Sequence, residues 1–187
     1  MLISDAANPT DGNGLRLETL IAGEQVLVTT DGGTFELGAL PDGAFENLLV
    51  VSVGTTARKM ESRLRQLGRP LNSVGVVPVS PSTDDYTGPL WCEENVYPSD
   101  LTGVSIAFSR AYRHLREGRG WVVFDNLSVL LMYSRPERLH RLVDSFVRQC
   151  RSKGLRGVYV VDERSVEPST VERFEQVVDR TLPARRD

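Results

Sequence analysis

Short runs of β-branched and apolar residues alternate with longer segments of helical periodicity along most of the chain. The runs predict buried strands, because continuous apolar stretches of this length are typical of strands covered on both faces. They cover residues 25–30, 47–53, 73–79, 121–125 and 157–162. The alternation of strand and helix predicts an α/β domain of three layers, with a mostly parallel sheet of about five or more strands.

The segments between the strands carry apolar residues at intervals of three and four, which predicts helices packed by one face. Thr55 or Thr56 is positioned to cap one helix, and Ser99 or Asp100 is positioned to cap another. The predicted helices include residues 15–22, 101–117 and 136–152. Another predicted helix ends at Gly68, and the last begins at a capping box of Ser169 and Glu172.

The chain has 187 residues, of which 40% are hydrophobic and 25% charged, as in a typical globular domain. This length predicts one domain over residues 15–182, with tails at 1–14 and 183–187. We expect no membrane span and no secretory signal, because no apolar run is long enough. The two cysteines form no motif. A reducing cytoplasm is therefore the expected location, and neither a disulfide nor a metal site is expected.

Charge is distributed unevenly along the chain. Residues 1–57 hold eight acids and one base, whereas residues 58–187 hold 21 bases and 17 acids, for a net charge of −3. This balance argues against a general nucleic-acid binder. Arginines nevertheless recur on two predicted helices, where they predict either a solvated face or a surface for an acidic partner, nucleic-acid phosphate or a second copy. They include Arg110, Arg113, Arg138, Arg141 and Arg148.

A loop of about twenty residues, 80–100, is longer than most connections without secondary structure, which favours a binding or regulatory role. Its aromatic residues Tyr86, Trp91 and Tyr97 predict either a recognition surface or an anchor that holds the loop on the domain. His114 and His140 are isolated on arginine-rich helices, so we expect no metal ligands there.

The carboxyl ends of the parallel strands are the expected place for a ligand. Gly32 and Gly33 predict an anion-binding nest or, since acids surround them, a tight turn. Asp125 predicts either a ligand contact or, as we favour, a cap for the turn to 127–132. The candidate ligand edge comprises Thr30, Gly32, Gly33, Gly54, Thr55 and Asp125.

Several of these segments resemble the RecA/KaiC-like branch of the P-loop ATPases. The run LVVSV resembles the second strand of that family, VVFDNLSVLLMYSRPERLHRLV resembles its Walker B strand and next helix, and GLRGVYVVD resembles the strand after that. The pattern DLTG…FDxLSxLLMY resembles uncharacterised KaiC-like proteins of halophilic archaea. The resemblance covers residues 45–180 and implies a RecA-like domain with Asp125 in the Walker B position.

The sequence departs from this family at the residues that would carry catalysis. A P-loop needs glycines, a lysine and a hydroxyl residue after the first strand. This chain instead has TTDGGTFELGALPDGAFE, which contains no lysine and four acids. The resemblance also implies paired acids after the second strand, where Gly54 and Thr55 stand. The P-loop and the general base are therefore both missing, and we expect no ATPase activity and no cofactor.

These departures leave several hypotheses of function. The first is a non-catalytic interaction or regulatory protein that binds another protein or itself, with Trp91 and the arginines as its surface. A second is a module that binds a nucleotide or another small ligand without hydrolysis. A third is a nucleic-acid-associated factor, which the charge does not favour. An ATPase with an unusual site is the last.

Overall fold

The computed structural model describes residues 16–184, and its centre is a parallel sheet of seven strands. The strand order is β4-β3-β2-β5-β6-β1-β7. The strands are β1 (Gln25–Thr30), β2 (Leu48–Val53), β3 (Val74–Val79), β4 (Trp91–Cys92), β5 (Trp121–Asp125), β6 (Arg156–Asp162) and β7 (Arg180–Pro183). All of the pairings are parallel, which confirms the predicted fold class.

Five α-helices connect the strands: α1 (Ala57–Gln66), α2 (Leu101–Tyr112), α3 (Leu127–Leu130), α4 (Pro136–Ser152) and α5 (Pro168–Glu175). Thr56 caps α1 by accepting from the Lys59 amide at 3.4 Å. Asp100 caps α2 by accepting from the Gly103 amide at 2.8 Å. Both are among the predicted capping residues.

Two separate hydrophobic layers cover the faces of the sheet because successive strand residues point to opposite sides. One layer packs α2, α3, α4 and α5 against residues such as Leu49 and Phe124. The other packs α1 and three short 3-10 turns against residues such as Val50 and Val123. These turns are Leu17–Thr19, Leu37–Ala39 and Asp42–Glu46. The arrangement is the predicted three-layer domain.

The structure corrects several predicted elements. The segment predicted as a helix over 15–22 forms only the 3-10 turn Leu17–Thr19, which buries Leu17 and Leu20; residue 15 lies outside the described residues. The α2 helix ends at Tyr112 rather than at 117. The α5 helix begins at Pro168, so Ser169 is inside it and forms no cap, since proline favours the first helical position.

Both margins of the sheet contain strands that the sequence patterns did not predict. The β4 strand has two residues and β7 has four, and neither shows a run of buried apolar side chains. The last residue of β7, Pro183, falls in the segment expected to be a C-terminal tail. Ala184, the next residue of that segment, donates its amide to the Thr29 carbonyl at 2.8 Å. Residues 185–187 and the expected N-terminal tail lie outside the described residues.

Candidate functional site

A cavity of about 280 Å³ opens at the carboxyl ends of β1, β5 and β6. Thr30 at the end of β1 lies opposite Asp162 at the end of β6 in the parallel register. The cavity is lined by Thr30, Gly32, Gly33, Thr34, Phe35, Asp125, Asn126, Ser128, Val129, Met132, Val160, Asp162 and Ser165. It is therefore located where a ligand would be expected in a parallel sheet.

The structure brings four of the candidate edge residues together in this cavity: Thr30, Gly32, Gly33 and Asp125. The other two, Gly54 and Thr55, are not in its lining. Gly54 has a φ of +78° and donates its amide to the Val79 carbonyl at 2.8 Å. This residue makes the turn out of β2, which accounts for glycine at this position.

The turn after β1 contacts the end of β6 through a hydrogen bond and an ion pair. The Gly32 amide donates to Oδ1 of Asp162 at 2.8 Å, and Arg164 forms an ion pair with Asp31. Gly32 has a φ of +77°, a conformation that favours glycine. The backbone donor that an anion nest would need at Gly32 is thus bonded to a carboxylate of the chain itself, in keeping with the tight-turn alternative.

The Asp162 carboxylate accepts the hydrogen bonds that hold this turn, although the sequence marks the residue only as the end of a strand. Burial raises the pKa of Asp162, but hydrogen bonds from the Ser165 hydroxyl and the Gly32 and Arg164 amides outweigh burial, so the net pKa is lowered. The Ser128 hydroxyl accepts from the Asp162 amide at 2.7 Å. The aspartate is therefore held as an anion and serves the structure of the cavity wall.

Asp125 faces the same cavity in a different environment. Its side chain is 13% exposed, and its cationic neighbour, Arg63 on α1, lies 4.0 Å away. Burial raises the pKa of Asp125 to about 6; Arg63 lowers this pKa by more than Glu36 raises it, and burial outweighs both. The predicted capping role is wrong: Asn126, at a φ of +82°, occupies the N-cap position of α3, and no side chain caps that helix. The Asp125 carboxylate lies instead near Arg63 on α1.

The segment between β1 and β2 packs into the core of the domain. Its apolar side chains are buried: Phe35, Leu37, Leu40, Ala44 and Phe45. Arg69 pairs with Asp42 at 2.6 Å and lies 4.5 Å from the centre of the Phe45 ring. The Ser73 hydroxyl donates to the Phe45 carbonyl at 2.6 Å. A P-loop ATPase has a phosphate-binding loop and a helix after its first strand. Here the corresponding segment forms 3-10 turns packed in the layer that contains α1.

The candidate arginines fall into two groups. Arg148 pairs with Asp144 within α4, so its charge is compensated. Arg110, Arg113, Arg138 and Arg141 are exposed, and in residues 16–184 none of them forms an ion pair with an acidic side chain. Arg138 and Arg141 line a groove between α2 and α4.

The aromatic residues of the 80–100 loop have different surroundings. The Tyr86 hydroxyl donates to Glu61 at 2.7 Å and accepts from the Leu90 amide at 3.0 Å, which anchors the loop to α1. Trp91 is half-buried on β4, with its ring centre 4.2 Å from that of His114. Tyr97 is 51% exposed. Anchoring therefore accounts for Tyr86, while Tyr97 remains available at the surface.

A hollow of about 370 Å³ lies at the opposite end of the sheet, away from the candidate ligand edge. Its lining includes Arg116 and Arg119, but also Glu18 and Glu46. Its third arginine, Arg156, donates to the carbonyls of Leu20 and Gly118. Charges of both signs meet there, and this hollow contains none of the predicted site residues.

Two further observations concern cofactors and membranes. Between Arg16 and Ala184, no three His, Cys, Asp or Glu side chains come together as a metal site would require. No helix in this part of the chain is long and apolar enough to cross a bilayer.

Three solved structures are similar to this one. A Pyrococcus horikoshii OT3 protein designated PH0250 superposes with a TM-score of 0.60 at 15% identity, covering 90% of this chain and 85% of that one. A KaiC-like protein from the same organism gives 0.61 at 14% identity, with 89% and 75% covered. The flagellar accessory protein FlaH of Methanocaldococcus jannaschii gives 0.56 at 16% identity, with 88% and 72% covered. The domain therefore has the RecA-like fold of KaiC-like proteins.

No curated protein matches the sequence. The chain belongs to the family of unknown function DUF7504, whose model matches residues 22–183. The predicted relation to RecA/KaiC-like proteins is confirmed at the level of fold. Identities of 14–16% carry nothing further about activity.

Proposed function

We propose that this chain is a RecA/KaiC-like protein without ATPase activity that acts as a protein-interaction or regulatory module. The observation that supports the proposal is the packing and hydrogen bonding of the segment after β1. Its Gly32 amide is bonded to Asp162, its Asp31 is paired with Arg164, and its Phe45 is buried in the core. A polyphosphate needs free amides and a cation at this position, whereas the Gly32 amide is already bonded and residues 31–46 contain no lysine or arginine.

The residues around Asp125 support the same proposal. Phosphoryl transfer depends on several charged groups that stabilise the transition state together. Here a carboxylate in the Walker B position has Arg63 at 4.0 Å, while Gly54 and Thr55 stand where the resemblance implies paired acids. One carboxylate without a lysine and a base does not provide that set of charges.

A second candidate function, ligand binding without hydrolysis, is favoured by the 280 Å³ cavity. Its lining includes two carboxylates, Asp125 and Asp162, and Glu36 is close enough to influence the pKa of Asp125. The negative potential of this lining favours a neutral or cationic polar ligand and disfavours a triphosphate.

Turnover and binding of nucleotide test the proposal directly. The purified chain is incubated with Mg-ATP, and phosphate release is measured beside the Asp125→Asn variant. We expect both proteins to match the buffer blank. Steady release that the substitution abolishes would refute the absence of ATPase activity.

Thermal denaturation tests whether a nucleotide is a ligand of this cavity. Millimolar Mg-ATP and Mg-ADP are expected to leave the Tm of the wild-type protein unchanged. An increase in Tm that Asp125→Ala removes would favour the ligand-binding function, because a ligand bound only by the folded state raises the Tm.

A further inference from the structure

The groove between α2 and α4 is a shallow surface with an apolar floor and a basic rim. Its volume is about 370 Å³. The floor includes small exposed edges of two core residues, Leu101 from α2 and Leu142 from α4, which are 6% and 8% exposed. Arg138 and Arg141 lie along one side. The remaining lining consists of hydroxyl residues, and it includes no carboxylate: Thr102, Ser105 and Ser145.

The positive charge of this rim has no counterion within the described part of the chain. Three other arginines on or near α4 are paired: Arg148 with Asp144, Arg151 with Asp179, and Arg173 with Glu137. Arg138 forms no such pair, and Arg141 donates only to the carbonyl of Glu137, at 3.4 Å. Two adjacent guanidinium groups next to apolar surface are therefore free to receive carboxylates.

An exposed aromatic pair lies just before the first turns of the two helices, outside the groove lining. Tyr97 precedes α2 and Tyr133 precedes α4, and their ring centres are 6.1 Å apart in an edge-to-face arrangement. Met132, next to Tyr133 in the chain, is 80% exposed and belongs to the lining of the 280 Å³ cavity. Tyrosine, methionine and arginine are enriched at protein interfaces, so the composition of this surface is that of a docking site.

We propose that the groove between α2 and α4 binds an acidic segment of a partner protein, with the carboxylates of that segment on Arg138 and Arg141 and its apolar side chains on Leu101 and Leu142. This inference rests on the proposed interaction function and names its surface and partner chemistry. The net charge of −3 disfavours nucleic acid as the occupant, and the guanidinium groups of the two arginines match the geometry of carboxylates.

A defined peptide probe tests the groove. The full chain is immobilised and used to select from a phage library of random 16-residue peptides at about 0.15 M salt, where exposed charges are screened over about 8 Å. The selected peptides are synthesised with a fluorescent label, and their Kd values are measured by anisotropy. We expect enrichment in Asp and Glu beside Leu or Phe.

Matched variants assign the binding to this surface. Arg138→Gln/Arg141→Gln is expected to raise the Kd of the selected peptides about tenfold or more, because two charge-assisted contacts are lost. Arg110→Gln/Arg113→Gln removes the same charge from exposed, unpaired arginines outside the groove lining and is expected to change the Kd less than about twofold. Equal losses in the two variants, or selected peptides without acidic residues, would overturn the proposal.

Two further experiments test other possible occupants of the groove. A labelled single-stranded DNA of 30 nucleotides that binds through Arg138 and Arg141, while no peptide does, would overturn the proposal in favour of nucleic acid. A dimer in sedimentation velocity that the groove variant alone dissociates would assign the groove to a second copy and also overturn it. Peptides that bind at another surface would refute the groove but leave the interaction function standing.

Discussion

Removing the charge of Asp125 is expected to make the protein more stable at neutral and alkaline pH. The side chain is 13% exposed, and its pKa is raised to about 6 from an ordinary value of 3.8. A carboxyl group whose pKa is higher in the folded state stabilises the fold while it is protonated. That stabilisation is complete below the unfolded pKa and is lost as the pH rises through the folded pKa.

The size of the effect follows from the two pKa values. At about 1.4 kcal/mol per pKa unit, a rise from 3.8 to about 6 corresponds to about 3 kcal/mol between the acidic and alkaline limits. Roughly half of this, about 1.5 kcal/mol, falls between about pH 5 and pH 8. Asparagine keeps the shape of the side chain and does not titrate, so Asp125→Asn should lack this part of the pH dependence.

Urea unfolding at pH 5, 6, 7 and 8 measures the difference. The free energy of unfolding of Asp125→Asn relative to wild type is expected to increase steadily across this range by about 1–2 kcal/mol. Comparing the two proteins at each pH removes the contribution of every other titrating group. Parallel curves from pH 5 to pH 8 would refute the argument, because they would mean that Asp125 ionises in the folded protein as it does in water.

The remaining predictions concern the walls of the cavity and the segment between β1 and β2. Asp162→Asn should destabilise more at pH 7 than at pH 3, because a lowered folded pKa gives stability that is present above about 3.9 and lost as the pH falls; equal losses in urea unfolding at both pH values would contradict this. Gly32→Ala, at a φ of +77°, should cost about 1–2 kcal/mol, whereas Gly33→Ala, with nothing within 4 Å of its added carbon, should be near neutral; equal Tm values would argue against the strained turn. Phe45→Ala should cost about 3–5 kcal/mol because the ring is 1% exposed. The control Ile21→Ala, 70% exposed, should cost little, and a similarly small loss for Phe45→Ala would mean that the segment between β1 and β2 is not part of the core.

The long strands could be predicted because each is apolar on both faces. The β1, β2 and β3 strands are buried along their full lengths, and the sequence shows this as continuous runs. The parallel arrangement followed from the helices between them. A parallel arrangement also places Thr30, Gly32, Gly33 and Asp125 at the same edge of the sheet. Part of the cavity lining could therefore be predicted from the sequence.

Other features depend on contacts that no local pattern encodes. The β7 strand, with its partly exposed residues, is defined by its pairing with β1 and not by its own composition. The raised pKa of Asp125 depends on burial between distant elements, and the role of Asp162 depends on the amide of Gly32, 130 positions earlier in the chain. The free charge of Arg138, in contrast to that of Arg148, depends on which acids happen to lie one helical turn away.

The two edge strands of the sheet limit how copies of this protein can pair edge to edge. On one side β4 is only two residues long, and on the other β7 ends at Pro183, which has no amide hydrogen to donate. Neither border offers a long ladder of open backbone groups on which a foreign strand could continue the sheet. Assembly through these margins is therefore disfavoured. The proposed interaction function would then depend on side chains of the helices, where single substitutions can change binding without disturbing the sheet.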